Sequence, residues 1–221
     1  MRIGPRCSAT ARGVLEEIRL RFPWGTIAVF RDVYKPAEDT WFLIDVLDRL
    51  KEEKTALKHE VCLDLGCGTG ILGIYLLSRG VCSLTLFLDI NPLAIANTAF
   101  NLAINNLHHH ALVVLSDAEE EAFVRGSVDL VVANPPYLPS DKRGPQDPAL
   151  IGGSKGYEAV VQFIDFAAKV LRKGGILLIT YSSLSNPKVV ESHLIEDFII
   201  RKKRVRRFFF EELYVVEAVK R

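Results

Sequence analysis

Asn134-Pro135-Pro136-Tyr137 places two prolines directly after an asparagine. Neither proline donates an N–H and φ is fixed at both, so the carbonyl oxygens of this turn are free to face a ligand. A planar NH2 group has two hydrogens; the Asn134 side-chain oxygen and the Pro135 carbonyl can take both, with Tyr137 against its flat face. An amide nitrogen is a poor nucleophile because its lone pair is delocalised. Holding both hydrogens aims that nitrogen at a methyl donor and favours charge building there. A lone Asn-Pro pair is more often an ordinary turn, so the weight of the motif depends on what stands before it.

What stands before it is Asp64-Leu65-Gly66-Cys67-Gly68-Thr69-Gly70. The glycines Gly66, Gly68 and Gly70 close a strand and open a helix, where backbone can approach a ligand. The spacing is G-x-G-x-G, and Ile71 stands where a dinucleotide fingerprint needs glycine. A carboxylate at Asp64 would repel a pyrophosphate but suits a ligand bearing an ammonium group. Asp89, at the end of the second strand, is placed to accept from a ribose diol. Asp117, past the third, can meet an adenine amino group. Either acid alone is as readily a helix cap; together with the glycine turn they favour one adenosyl ligand.

Strands and helices alternate around these residues. Strands are expected at Val61 to Leu65, Ser83 to Leu88, Ala111 to Leu115, Val128 to Ala133 and Ile176 to Thr180. Helices are expected at Ile71 to Ser78, Asn91 to Asn105, Gly156 to Leu171, where Gly174-Gly175 ends the last of these, and Pro187 to Glu196. Phe198 to Arg207 and Leu213 to Val219 read as an antiparallel hairpin, and Thr26 to Val33 and Asp39 to Leu50 as a preceding strand and helix. Residues 134 to 155 read as an active-site loop. The implied fold is α/β, a Rossmann-like doubly wound sheet that is mostly parallel, with ligands at the carboxyl ends of its strands. One domain is expected over residues 1–221, with 1–59 as an extension over the ligand site and 60–221 as the core.

The chain resembles class I S-adenosylmethionine-dependent methyltransferases of the HemK type, most closely the eukaryotic and archaeal branch. Three motifs carry the resemblance: Val33-Tyr34-Lys35-Pro36-Ala37-Glu38-Asp39-Thr40, Asp64 to Gly70, and Asn134 to Tyr137, with Gly152-Gly153-Ser154-Lys155-Gly156 in support. The resemblance implies a seven-stranded sheet ordered 3-2-1-4-5-7-6 and methylation of the glutamine of the Gly-Gly-Gln tripeptide in class I release factors. S-adenosyl-L-methionine would be the donor and S-adenosyl-L-homocysteine the product. Thr40, Asp64, Gly66, Asp89, Asp117 and Ala118 would line the cofactor, Asn134 would touch both ligands, and Glu38 would sit near the reacting centre. It also implies a small zinc-binding activator protein. Strand three, Ala111 to Leu115, has no charge and no proline, so its edge is the expected seat. The helical substrate domain of bacterial HemK proteins is not expected here.

Composition narrows the alternatives. In 221 residues, 28 Lys and Arg balance 27 Asp and Glu for a net charge of +1, without the broad field of a nucleic-acid binder. Six of the bases cluster in Arg201 to Arg207, a run read as a charged sheet edge. Rival functions are methylation of an exocyclic amino group in RNA or DNA, methylation of a protein lysine, and a cofactor-binding scaffold without turnover. His108 to His110 read as a solvated loop, with no metal site expected. Tyr34 and Trp41 either wall the cofactor or pack in the core. Four cysteines without CxxC spacing, and no membrane span or secretory signal, point to a reducing, cytoplasmic setting.

Overall fold

In the computed structural model, residues 16–52, 59–117, 124–140 and 149–221 are described. The strands are β1 (Glu16–Phe22), β2 (Gly25–Phe30), β3 (His59–Leu65), β4 (Cys82–Asp89), β5 (Ala111–Leu115), β6 (Val128–Ala133), β7 (Leu171–Ser182), β8 (Phe198–Arg207) and β9 (Glu212–Lys220). The helices are α1 (Glu38–Glu52), α2 (Ile71–Ser78), α3 (Pro92–Ile104), α4 (Glu158–Val170) and α5 (Pro187–Asp197).

Period-two alternation decides which side chain faces which helix layer. Cys62, Leu130, Val132 and Leu178 point to one side and pack on Phe42, Leu43 and Leu47 of α1, Ile71 and Ile74 of α2 and Leu102 of α3. Their neighbours Leu63, Leu65, Val131, Ala133, Leu177 and Ile179 point to the other, against Val160 and Ile164 of α4 and Val190 and Leu194 of α5. Burial on both faces is why these strands read as continuous apolar runs. The sheet runs β5-β4-β3-β6-β7-β9-β8, which is the expected order. Its β3, β4, β5, β6 and β7 pairings are parallel, and β9 lies antiparallel between β7 and β8.

The hairpin β1–β2 stands outside this sheet. Its free edge is held by a row of side-chain amides at every fourth position of α3 and its C-cap. Asn105, Asn101 and Asn97 accept from the backbone N–H groups of Thr26, Ala28 and Phe30 at 2.8, 2.8 and 2.9 Å. Their amide NH2 groups donate back to the carbonyls of Thr26 and Ala28. Four helical residues advance about 6 Å and two strand residues about 6.7 Å, so the two spacings nearly match over three contacts.

Two expectations are corrected. The helix expected to run to Leu171 and stop at Gly174-Gly175 ends at Val170, and both glycines lie within β7. There Gly174 has φ of +76°, and the pairing slips between Val128↔Leu171 and Leu130↔Ile176. The strand expected to run to Val33 ends at Phe30, and β1 before it was not foreseen. Cys62 of β3 and Cys82 of β4 stand close together, with Cα atoms 6.1 Å apart, although they are 20 residues apart in sequence. Among the described residues, no helix is long and apolar enough to cross a membrane.

Candidate active site

At the carboxyl ends of β3 and β4 the backbone makes a cradle. Gly66 and Gly70 have φ of +69° and +76°, left-handed values that glycine adopts without strain. A Cβ on Gly66 would stand 2.9 Å from the Phe163 ring, and one on Gly70 would stand 2.9 Å from the Thr98 side chain. Glycine here serves both conformation and closeness.

Asp89 ties the cradle to the next strand. Its Oδ2 accepts from the Gly68 N–H at 2.8 Å and its Oδ1 from the Asn91 N–H at 2.9 Å. Burial raises its pKa, against the pull of those N–H groups. Asp64 is deeper, only 1% exposed. One oxygen accepts from the Gly73 N–H at 2.8 Å, and the other is buried without a partner among the described residues. Burial pushes its carboxyl up to about 8. Cys67 is buried and its thiol pushed well above the ordinary range by the same cause, which leaves it no nucleophilic role.

The second half of the site is the turn after β6. Asn134 is partly buried, and its side-chain oxygen has no hydrogen-bond partner among the described residues. The chain leaving this corner comes back to brace it. Leu138 N–H donates to the Leu150 carbonyl and Gly152 N–H to the Leu138 carbonyl, each at 2.9 Å. A Cβ on Gly152 would stand 2.5 Å from the Pro136 carbonyl oxygen. The glycine-rich segment after the loop is thus a close-packed support for the Pro-Pro backbone.

A carboxylate joins the corner to α1. Asp39, 4% exposed, accepts from both the Tyr34 and Tyr137 hydroxyls, at 3.0 and 3.1 Å. It also accepts from the Thr40 N–H at 2.6 Å. Burial and the Asp39 charge hold the Tyr137 hydroxyl far above its ordinary pKa.

These parts enclose a pocket of about 390 Å³, lined by Tyr34, Thr40, Gly66, Gly68, Asp89, Asp117, Asn134, Pro136, Gln162 and Phe163, among others. Of the residues singled out from sequence, Asp64, Gly70, Pro135 and Tyr137 stand behind this lining. Ala118 lies outside the described residues. Glu38 is exposed at the start of α1, and its neighbour Asp39 is the carboxylate that turns inward. Helical phase could have found it, since Asp39 stands four and eight residues before Leu43 and Leu47 on the buried stripe. Gln162 and Phe163 had no such signal, being two positions on an ordinary amphipathic helix. Trp41 packs with the core while Tyr34 faces the pocket.

Residues 38–205 match the Methyltransferase small domain family. Methyltransferase HEMK2 of Mus musculus is 34% identical over 168 residues, covering 73% of this chain and 77% of that protein. The chain belongs to the HemK methyltransferase family. A second HemK relative, the release factor glutamine methyltransferase of Deinococcus radiodurans, is 29% identical over 84% of this chain and 71% of its own length. One chain of the E. cuniculi Mtq2-Trm112 complex, responsible for methylation of the eRF1 translation termination factor, superposes with a TM-score of 0.62. It is 28% identical, over 86% of this chain and 99% of its own. The M. jannaschii tRNA m1G37 methyltransferase, at 18% identity and a TM-score of 0.63, shares the fold.

Proposed function

We propose that this chain methylates the side-chain amide nitrogen of a glutamine in a protein, that of the Gly-Gly-Gln tripeptide of a class I release factor. The observation that carries the reading is the buried Asn134 oxygen, an acceptor without a partner at the wall of the pocket. Leaving such an atom unsatisfied costs about 1–3 kcal/mol, and an incoming NH2 group removes that cost. The donor S-adenosyl-L-methionine supplies a methyl group on a sulfonium centre. The glycine cradle and the orphaned Asp64 oxygen fit a ligand that combines a close backbone approach with a positive charge. Asp89 holds the cradle and has lone pairs left for a ribose diol, Asp117 on the pocket wall would take the base amino group, and Asn134 with the Pro135 carbonyl would take both amide hydrogens. The Tyr34–Asp39–Tyr137 bridge keeps the corner from shifting as charge builds on the nitrogen.

A nucleobase acceptor is the weaker reading because four of the six bases in the basic run are already in ion pairs. Lys203 pairs with Glu191, Arg204 with Glu217, Arg206 with Asp45 and Arg207 with Glu212. Mass spectrometry of release factor, bulk tRNA and DNA after incubation with labelled cofactor tests this. Label on the tripeptide glutamine is expected; label confined to nucleic acid would overturn it. We infer a cytoplasmic setting from such a substrate.

Asp89→Ala should weaken S-adenosyl-L-methionine binding by about 1–3 kcal/mol through lost hydrogen bonds to a charged acceptor. Calorimetry giving unchanged affinity would remove Asp89 from the site.

We also infer that a small zinc-binding activator adds a strand to the outer edge of β5. Among the described residues β5 pairs only with β4, and Leu112 and Leu115 are each 55% exposed. An uncharged edge of this kind is an aggregation hazard unless covered. Leu112→Lys should cut binding of the activator roughly tenfold or more while cofactor affinity stays unchanged. Undiminished capture by that variant would seat the partner elsewhere.

A further inference from the structure

We propose that the tip of the β8–β9 hairpin, Phe208 to Glu211, is the docking element for the polypeptide that bears the acceptor amide. This rests on the protein-substrate reading above. The pairing of Ser182 with Leu213 puts the tip at the carboxyl end of β7. Because β6 and β7 are parallel, this is the end from which the Asn134 corner emerges.

Phe209 and Phe210 are 91% and 87% exposed, with ring centroids 4.6 Å apart and the rings edge to face. Two adjacent aromatic side chains left in water do nothing for the core, and exposed apolar patches of this sort mark binding surfaces. The tip is braced. Phe208 N–H donates to the Glu211 carbonyl at 2.7 Å, Arg207 pairs with Glu212 at 2.8 Å, and Glu212 N–H donates to the Ser183 hydroxyl at 3.0 Å. A rigid anchor loses little freedom on binding.

Glu211 supplies the polar half. One of its carboxylate oxygens is buried without a partner among the described residues. Its charge adds to those that raise the Tyr137 hydroxyl, so the carboxylate stands within electrostatic reach of the acceptor corner. An aromatic pair for an apolar side chain, beside an acceptor for a peptide N–H or a cationic side chain, suits a polypeptide. A phosphate would meet the Glu211 carboxylate at this rim and be repelled.

The test is steady-state methylation of a class I release factor by the full chain carrying Phe209→Ser and Phe210→Ser, with Glu211→Gln as a second variant. The aromatic double variant should raise KM for the release factor by roughly tenfold or more. Its kcat should stay within about twofold and its S-adenosyl-L-homocysteine affinity should not change. Glu211→Gln should raise KM in the same sense, and Phe209→Leu with Phe210→Leu should restore most of the loss. An unchanged KM in both variants overturns the proposal. So does a wild-type dimer that the double variant dissociates without a change in KM, since the patch would then serve a second copy. A wild-type chain that methylates no release factor defeats this and the proposed function together, whereas wild-type activity with unaltered variant KM removes the hairpin alone.

Discussion

Replacing Asn134 by alanine is expected to lower kcat for methyl transfer by on the order of 10²–10³-fold, the scale of losing an orienting hydrogen-bond partner at the reacting atom. Cofactor affinity should fall only slightly, because the glycine cradle and Asp89 belong to other strands. Stability should hold or rise. The Asn134 oxygen is buried without a partner among the described residues, and removing a buried unsatisfied acceptor relieves a desolvation cost. A melt and a rate measured on the same preparation therefore separate chemistry from folding. Near-normal turnover would sink the mechanism, and a large loss of stability would show that the side chain is structural.

The second large effect concerns protons. Asp64 is held up to about 8 by burial, against an ordinary value near 3.9. In the ligand-free enzyme it is therefore protonated at neutral pH. The folded chain binds more protons than the unfolded chain between about pH 4 and 8, so this group makes the enzyme less stable as pH rises through that window. A cationic ligand favours the ionised carboxylate. Binding of S-adenosyl-L-methionine should thus release close to one proton below pH 8, and affinity should climb by up to about tenfold per pH unit toward that value. Calorimetry in buffers of different ionisation enthalpy reads the proton directly. In Asp64→Asn both the release and the slope should vanish. A wild-type enzyme that binds with no proton exchanged between pH 6 and 8 would take Asp64 out of the binding equilibrium.

What the sequence made legible follows from where its signals are local. Strand β6 and helix α2 were placed to the residue, because a glycine turn and an Asn-Pro turn mark where one begins and the other ends. The sheet order came with the family resemblance, and the observed pairings agree with it. Legibility failed where the signal is long-range. The nearness of Cys62 to Cys82 needs β3 laid beside β4. The three asparagines of α3 look like indifferent helix residues until β2 is laid alongside. The buried carboxylate of the Glu38-Asp39 pair is legible only through helical phase, which puts Asp39 in line with Leu43 and Leu47.

The asparagine row sets an order of assembly. The glycine cradle lies within contiguous chain from β3 through α3, where Thr98 and Asn101 donate to the Gly68 and Thr69 carbonyls, and can form as soon as those elements meet. The wall that carries Tyr34, Asp39 and Thr40 follows β2, and β2 is fastened through contacts spanning 67 to 79 residues. Closing a loop of that length repays nothing until α3 exists to receive it. A chain emerging from synthesis therefore has its cradle before it has its pocket, and capacity for the cofactor arrives with one late zippering of amide against backbone.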